Sequence, residues 1–148
     1  DVTIRVLDAY GEGAGLARSL LQKGVEVEEV PFTGLGQACS RSDVVLLEAT
    51  AAGPDSFIAP AGSYAAAVCG TQSGKQVWVV VGHGRALPER IFDVIENQLI
   101  AQNTMEADDE VVPMSVVTHV VGPKGLSGSE DRSREDCVVA AELLRPVL

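Results

Sequence analysis

The sequence predicts an α/β fold of three layers, a mostly parallel sheet with helices on both faces. Three observations carry that expectation. Apolar runs alternate with helix-like stretches over residues 1–83, the order that builds strand–helix–strand units with right-handed crossovers. Two of the runs, "DVVLLEA" and "QVWVVVGH", are almost continuously apolar, the pattern of strands buried on both faces. Hydrophobic residues make up 46% of the chain and aromatics only 4%, which suits a sheet covered by Ala-rich helices.

The elements follow in order. "VTIRVL" (residues 2–7) reads as a strand. "GAGLARSLLQKG" reads as a helix, with Ala14, Ala17 and Leu21 on one face and Gly24 placed to stop it. "VEVEEV" alternates, as a strand near a sheet edge does. "TGLGQACSR" is a short helix, and residues 43–49 are the first buried strand. "TAAGPDSFIAPAG" reads as a loop of Gly, Pro and small residues. "SYAAAVCGTQSG" is a helix with almost no bulk, able to pack very close to a sheet, and residues 76–83 are the second buried strand.

The pattern then changes. "PERIFDVIENQLIAQ" is an amphipathic helix with Pro88 at a first helical position. Ile91, Ile95 and Leu99 lie four apart on it, with Phe92 alongside. "NTMEADDEVVP" reads as an acidic loop, residues 115–121 as a strand and "GPKGLSGSEDRSRED" as a polar loop. "CVVAAELLRPVL" reads as a short docking helix. No internal repeat or linker divides the chain, so residues 1–148 read as one domain. The opening at Asp1, without Met and directly in a strand-like run, reads as a fragment or processed piece.

Bulk chemistry narrows the function. Eleven basic residues are scattered among 21 acidic ones, for a net charge of −10. Duplex binding needs clustered Lys and Arg, so direct nucleic-acid contact is disfavoured, while a basic protein partner is compatible. Cys39, Cys69 and Cys137 are far apart and form no CxxC pair, and His83 and His119 have no ligand-spaced neighbours. This points to a reduced cytoplasmic protein without a zinc site or other cofactor. No apolar run reaches the roughly 18 residues that span a membrane. No Ser stands in G-x-S-x-G and no Cys has a His nearby in sequence, so no nucleophile stands out.

"DAYGEGAG" joins the first strand to the first helix. Gly11 and Gly13 match the start of G-x-G-x-x-G, but the third position is Leu16 and Gly15 comes one residue early. Three readings stay open: a sharp turn with close helix–strand packing, a phosphate at the helix N-terminus, and a dinucleotide site with Glu28 or Glu29 on the ribose. Ligands of parallel sheets bind beyond the carboxyl ends of the strands. That rule picks out Asp8, Tyr10, Thr33, Glu48, Thr50, His83 and Arg85. Gly62 and Ser63 stand at a helix start, where Ser63 can cap and free N–H groups can hold a phosphate.

The order of these pieces resembles a known family, the C-terminal Rossmann-like domain shared by the alpha, beta and delta subunits of initiation factor 2B. That family also contains methylthioribose-1-phosphate and ribose-1,5-bisphosphate isomerases, and its fold is of the NagB/RpiA/CoA-transferase type. "LDAYGEGAG" stands where the family has Glu-Ser-Arg-Pro and a glycine, with Asp8 at the Glu and Tyr10 at the Arg. "LLQKGVEV", "LEATAAGPDSFIAPAGSYAAAV", "KQVWVVV" and "EVVPMSVVTHVVGPKG" follow as the family's later segments do. The resemblance implies that the isomerases' catalytic Asp falls at Ala49 and their Asn-Lys pair at Ala59-Pro60. Their catalytic Cys and helical N-terminal domain would lie upstream of residue 1.

The expectation is therefore an initiation factor 2B-like regulatory or assembly module without isomerase chemistry. By resemblance it pairs as a homodimer or with a related subunit. A cleft for a small phosphorylated ligand would use Asp8, Tyr10, Gly11, Gly13, Thr50, Gly62, Ser63, His83 and Arg85. The first alternative is an active sugar-phosphate isomerase with Glu48 or Asp55 as base. The second is a nucleotide-dependent Rossmann oxidoreductase.

Overall fold

A computed structural model describes residues 2–8, 11, 13–102 and 105–131. Tyr10, Cys137 and the expected C-terminal docking helix lie outside the described residues.

Strand β1 (Thr3–Asp8) leads through the glycine loop into α1 (Gly13–Gln22), and β2 (Glu26–Pro31) pairs parallel to β1. A 3-10 turn, Phe32–Gly34, runs into the short α2 (Leu35–Ser40). Next come β3 (Val44–Glu48), α3 (Ser63–Gln72) and β6 (Gln76–Val80), with a hairpin of β4 (Ala51–Ala52) and β5 (Ser56–Pro60) between β3 and α3. The chain continues through α4 (Glu89–Gln102), β7 (Asp109–Pro113), β8 (His119–Gly122) and β9 (Gly125–Gly128).

The fold class is the expected one: mixed α/β with helices and a mostly parallel sheet. β3, β6 and β8 run parallel, and β9 returns antiparallel at the edge. β1 and β2 form their own parallel pair. Arg5 ties that pair together through Glu28 (2.8 Å) and reaches the carbonyl of Arg41 just before β3 (3.1 Å).

Several expected loops are strands. "TAAGPDSFIAPAG" holds the β4–β5 hairpin, closed by the Gly53 N–H donating to the Ser56 carbonyl. The acidic stretch ends as β7, which pairs antiparallel to β5, so a second sheet of order β4-β5-β7 stands beside the parallel one. The Gly/Ser stretch supplies β9. The strand expected over residues 115–121 starts only at His119, after a 3-10 turn at Met114–Val116. β4 and β9 contain no β-branched residue, the mark of a strand in sequence. Tertiary pairing, not propensity, makes these two.

The core sits between the two sheets under α3. Leu47, Ala49, Val77, Val79 and Val120 come from the parallel sheet, and Phe57, Ala59 and Val112 from the antiparallel one. Ala66 and Ala67 of α3 fill the space between. At Gly70 a Cβ would lie 2.8 and 2.9 Å from methyls of Val45 and Val77, so the helix touches the sheet where only glycine fits.

The expectation that β3 and β6 are buried on both faces needs correction. Among the described residues β3 and β6 are fully buried on one face only: Leu46 is 63% exposed and Trp78 half-buried, while α3 covers the side of Val45, Leu47, Val77 and Val79. On α4, Phe92 is the one buried side chain among the described residues, while Ile95 and Val94 are exposed. α4 docks through Phe92, which lies against Gly53, and through Glu96, which accepts from Ser56.

A Cβ at Gly53 would overlap the Phe92 ring. Gly53→Ala is expected to cost about 1–3 kcal/mol by overpacking. In a Phe92→Ala background the same change should cost clearly less. Urea denaturation of the four-member cycle checks the coupling, and additive costs would show that Phe92 is not the anchor.

Candidate functional site

The first helix start is built from β1 outward. Gly11 has φ of +85°, which glycine adopts without strain. The Asp8 carboxylate accepts from the N–H of Gly11 (2.6 Å) and of Gly13 (3.3 Å). A Cβ at Gly13 would fall 2.9 Å from that of Asp8. The glycines thus let the loop fold back on its own carboxylate, which occupies the place an anion would take at α1.

The second helix start repeats this with a partner from far along the chain. Oε1 of Glu110, on β7, accepts from the N–H of Gly62 and of Tyr64, both at 2.8 Å. Ser63 does not cap: its hydroxyl donates to the Pro60 carbonyl at 2.6 Å. Gly62 has φ of +100°, and Phe32 packs against it so closely that a Cβ would meet the ring at 2.9 Å.

The third group joins the ends of β3 and β6. Arg85 donates to Glu48 (2.7 Å) and to the carbonyl of Ala49 (2.8 Å). The backbone around it is stitched to the hairpin: Ala52 N–H donates to the Arg85 carbonyl, and Leu87 N–H to that of Ala52. Glu48 is solvated, with 69% of its side chain exposed, so the ion pair contributes little stability.

The structure therefore brings Asp8 together with Gly11 and Gly13, Glu48 with Arg85, and Gly62 with a residue that the sequence reading passed over, Glu110. Thr33, Thr50, Asp55 and His83 are exposed. Asp55 sits in the β4–β5 turn, where its carbonyl accepts from Met114 N–H. Ala49 and Ala59, at the positions where the isomerase resemblance puts Asp and Asn, have no exposed surface and lie in the apolar core. The signal for Glu110 was present in "EVVP", which the resemblance matched as Glu-x-x-Pro. Its target 46 and 48 residues away was not.

Burial raises the pKa of the Cys39 thiol, and Cys69 nearby raises it further, so this thiol is a poor nucleophile. Among the described residues no group of three or more His, Cys, Asp or Glu could hold a metal ion, and no helix is long and apolar enough to cross a membrane.

No protein-family model matches the chain, and no curated protein matches it at a significant level. Solved structures do. The chain is similar to eIF2B beta from Chaetomium thermophilum, with a TM-score of 0.67 at 19% identity over 86% of this chain and 39% of that one. The translation initiation factor eIF-2B of Pyrococcus horikoshii OT3 gives 0.65 at 18% identity, over 84% of this chain and 47% of that one. The tetrameric eIF2B-beta2-delta2 complex from C. thermophilum gives 0.66 at 18% identity, over 86% and 42%. The chain thus has an eIF2B-like fold and spans less than half the length of these proteins.

Glu110→Ala is expected to cost about 1.5–3 kcal/mol, because it strands two N–H groups at the start of α3. Glu110→Gln keeps an acceptor and should cost less. Urea or thermal unfolding measures both; unchanged stability would show that this carboxylate does not hold the helix.

Proposed function

We propose that this domain is a non-catalytic assembly module that pairs with a subunit of its own fold, either a second copy or a related subunit. The observation that carries the reading is the state of the polar groups at the strand ends. Asp8 and Glu110 accept the N–H groups of both helix starts, and Arg85 is taken up by Glu48 and Ala49. A sugar phosphate would have to displace carboxylates that repel it. An isomerase also needs an acid or base beside the sugar carbons. Under the resemblance that place belongs to Ala49, which is buried and apolar.

Pairing has support of a different kind. One of the similar structures is, by its description, a tetrameric beta2-delta2 complex. In this chain α4 carries Val94 and Ile95 on one exposed side, at 56% and 37%, next to half-buried Ile91. An apolar helix side of this kind suits the centre of a subunit contact. The cytoplasm, where translation factors act, is the compartment this reading implies.

Sedimentation equilibrium tests the pairing. The full chain, alone or mixed with a related subunit, should show a concentration-dependent dimer. Val94→Asp with Ile95→Asp should abolish it without changing the far-UV circular dichroism. A chain that stays monomeric alone and in the mixture contradicts the proposal. So would turnover of ribose-1,5-bisphosphate or methylthioribose-1-phosphate that is lost on Glu48→Gln or Asp55→Asn.

A further inference from the structure

Two free thiols stand on neighbouring helices. Cys39 lies on α2 and is buried, and Cys69 lies on α3 and is half-buried. α2 packs directly against α3. Two contacts fix how the helices lie. Phe32, just before α2, packs against Gly62, just before α3. Further along, the Cys39 thiol donates to the Ala66 carbonyl at 3.8 Å. Both helices therefore advance in the same direction from a shared starting level. Cys39 is seven residues past Phe32, and Cys69 seven past Gly62, so the two cysteines come to nearly the same height. A helical side chain leans back over the preceding turn, which carries the Cys69 sulfur toward Ala65 and Ala66. The Cys39 sulfur already lies against Ala66. Packed helices stand about 8–10 Å apart, with Cα atoms at a radius of about 2.3 Å. Facing Cα atoms are then about 4–5 Å apart, within or close to the range a disulfide spans. Burial, and then the nearness of Cys69, push the Cys39 thiol up.

We propose that Cys39 and Cys69 form a modification site for low-molecular-weight disulfides, which convert the pair to a reversible disulfide joining α2 to α3. The Cys69 thiolate, on the more accessible of the two residues, attacks one sulfur of the small disulfide. A bond forms from Cys69 to that sulfur, the small molecule's own S–S bond breaks, and its other half leaves as a thiolate. The Cys39 thiolate then attacks the Cys69 sulfur, and the second half leaves in the same way. In sum the two cysteines give up two electrons and two protons, and one small disulfide becomes two thiols. The order of attack follows from position. Cys39 is only 4% exposed and its raised pKa keeps it protonated, so it resolves the mixed disulfide rather than starting the exchange. The bond ties β2, which leads into α2, to the helix that packs on the parallel sheet. In a reducing compartment such a bond forms transiently, as redox-sensing disulfides do.

Trypsin separates the two cysteines, because Cys39 falls in residues 24–41 and Cys69 in residues 42–75. The test treats the folded full-length chain, carrying Cys137→Ser, with oxidised glutathione and maps its peptides by mass. Those two peptides should appear joined, and dithiothreitol should part them. With Cys39→Ala added, Cys69 should instead keep glutathione as a lasting mixed disulfide. With Cys69→Ala added, Cys39 should take up glutathione at least tenfold more slowly. The first measurement leaves both cysteines in place, so a substitution that unfolds the chain does not remove the test. Glutathione retained on Cys69 while Cys39 is present, with no joined peptides, overturns the proposal. So does a link that forms no faster in the folded chain than in the same chain unfolded in urea.

Discussion

The structure depends on one close contact, α3 against the parallel sheet. Its inward side is Ala66, Ala67 and Gly70, so the helix approaches the core with almost no side-chain thickness of its own. That proximity lets Phe57, Ala59 and Val112 from one sheet meet Leu47, Val77 and Val79 from the other in a single cluster. A helix so poor in bulk gains little from its own side chains. Its first turn is held by Glu110, which belongs to β7, so the strand that completes the second sheet also anchors the helix that both sheets share.

The same arrangement shapes what the strand ends can do. In this architecture the helix starts point their N–H groups at the place where ligands of parallel sheets bind. Here Asp8 answers α1 and Glu110 answers α3. Arg85 is paired with Glu48 and donates to the carbonyl of Ala49. Under the proposed assembly role the polar constellation serves folding, and the exposed apolar side chains of α4 carry interaction.

Much of this was legible in the sequence, for identifiable reasons. The first strand, the first helix, the alternating second strand and the small-residue helix announce themselves by period and by glycine stops, and the structure places them within one or two residues. The β4–β5 hairpin was not legible, because Ala51 and Ala52 have no strand preference and acquire their partners from β5 and the Arg85 loop. Asp8 and the glycines at 11 and 13 read as a candidate ligand loop; nothing in eight residues says whether a loop's N–H groups face an outside anion or its own aspartate. Leu46 read as core because an apolar run records hydrophobicity without recording which face is covered. Glu110 read as part of an acidic loop, since its role exists only once β7 stands beside the start of α3.

The central claim is that the chain's own carboxylates close the helix starts to phosphate esters. Amide NMR tests it most directly, by titrating the full chain with ribose-1,5-bisphosphate and following Gly11, Gly13, Gly62 and Tyr64. The account predicts that these four amides stay in place to millimolar ligand and exchange slowly with solvent. Saturable shifts at Gly62 and Tyr64, lost when the ester is replaced by free ribose, would contradict it.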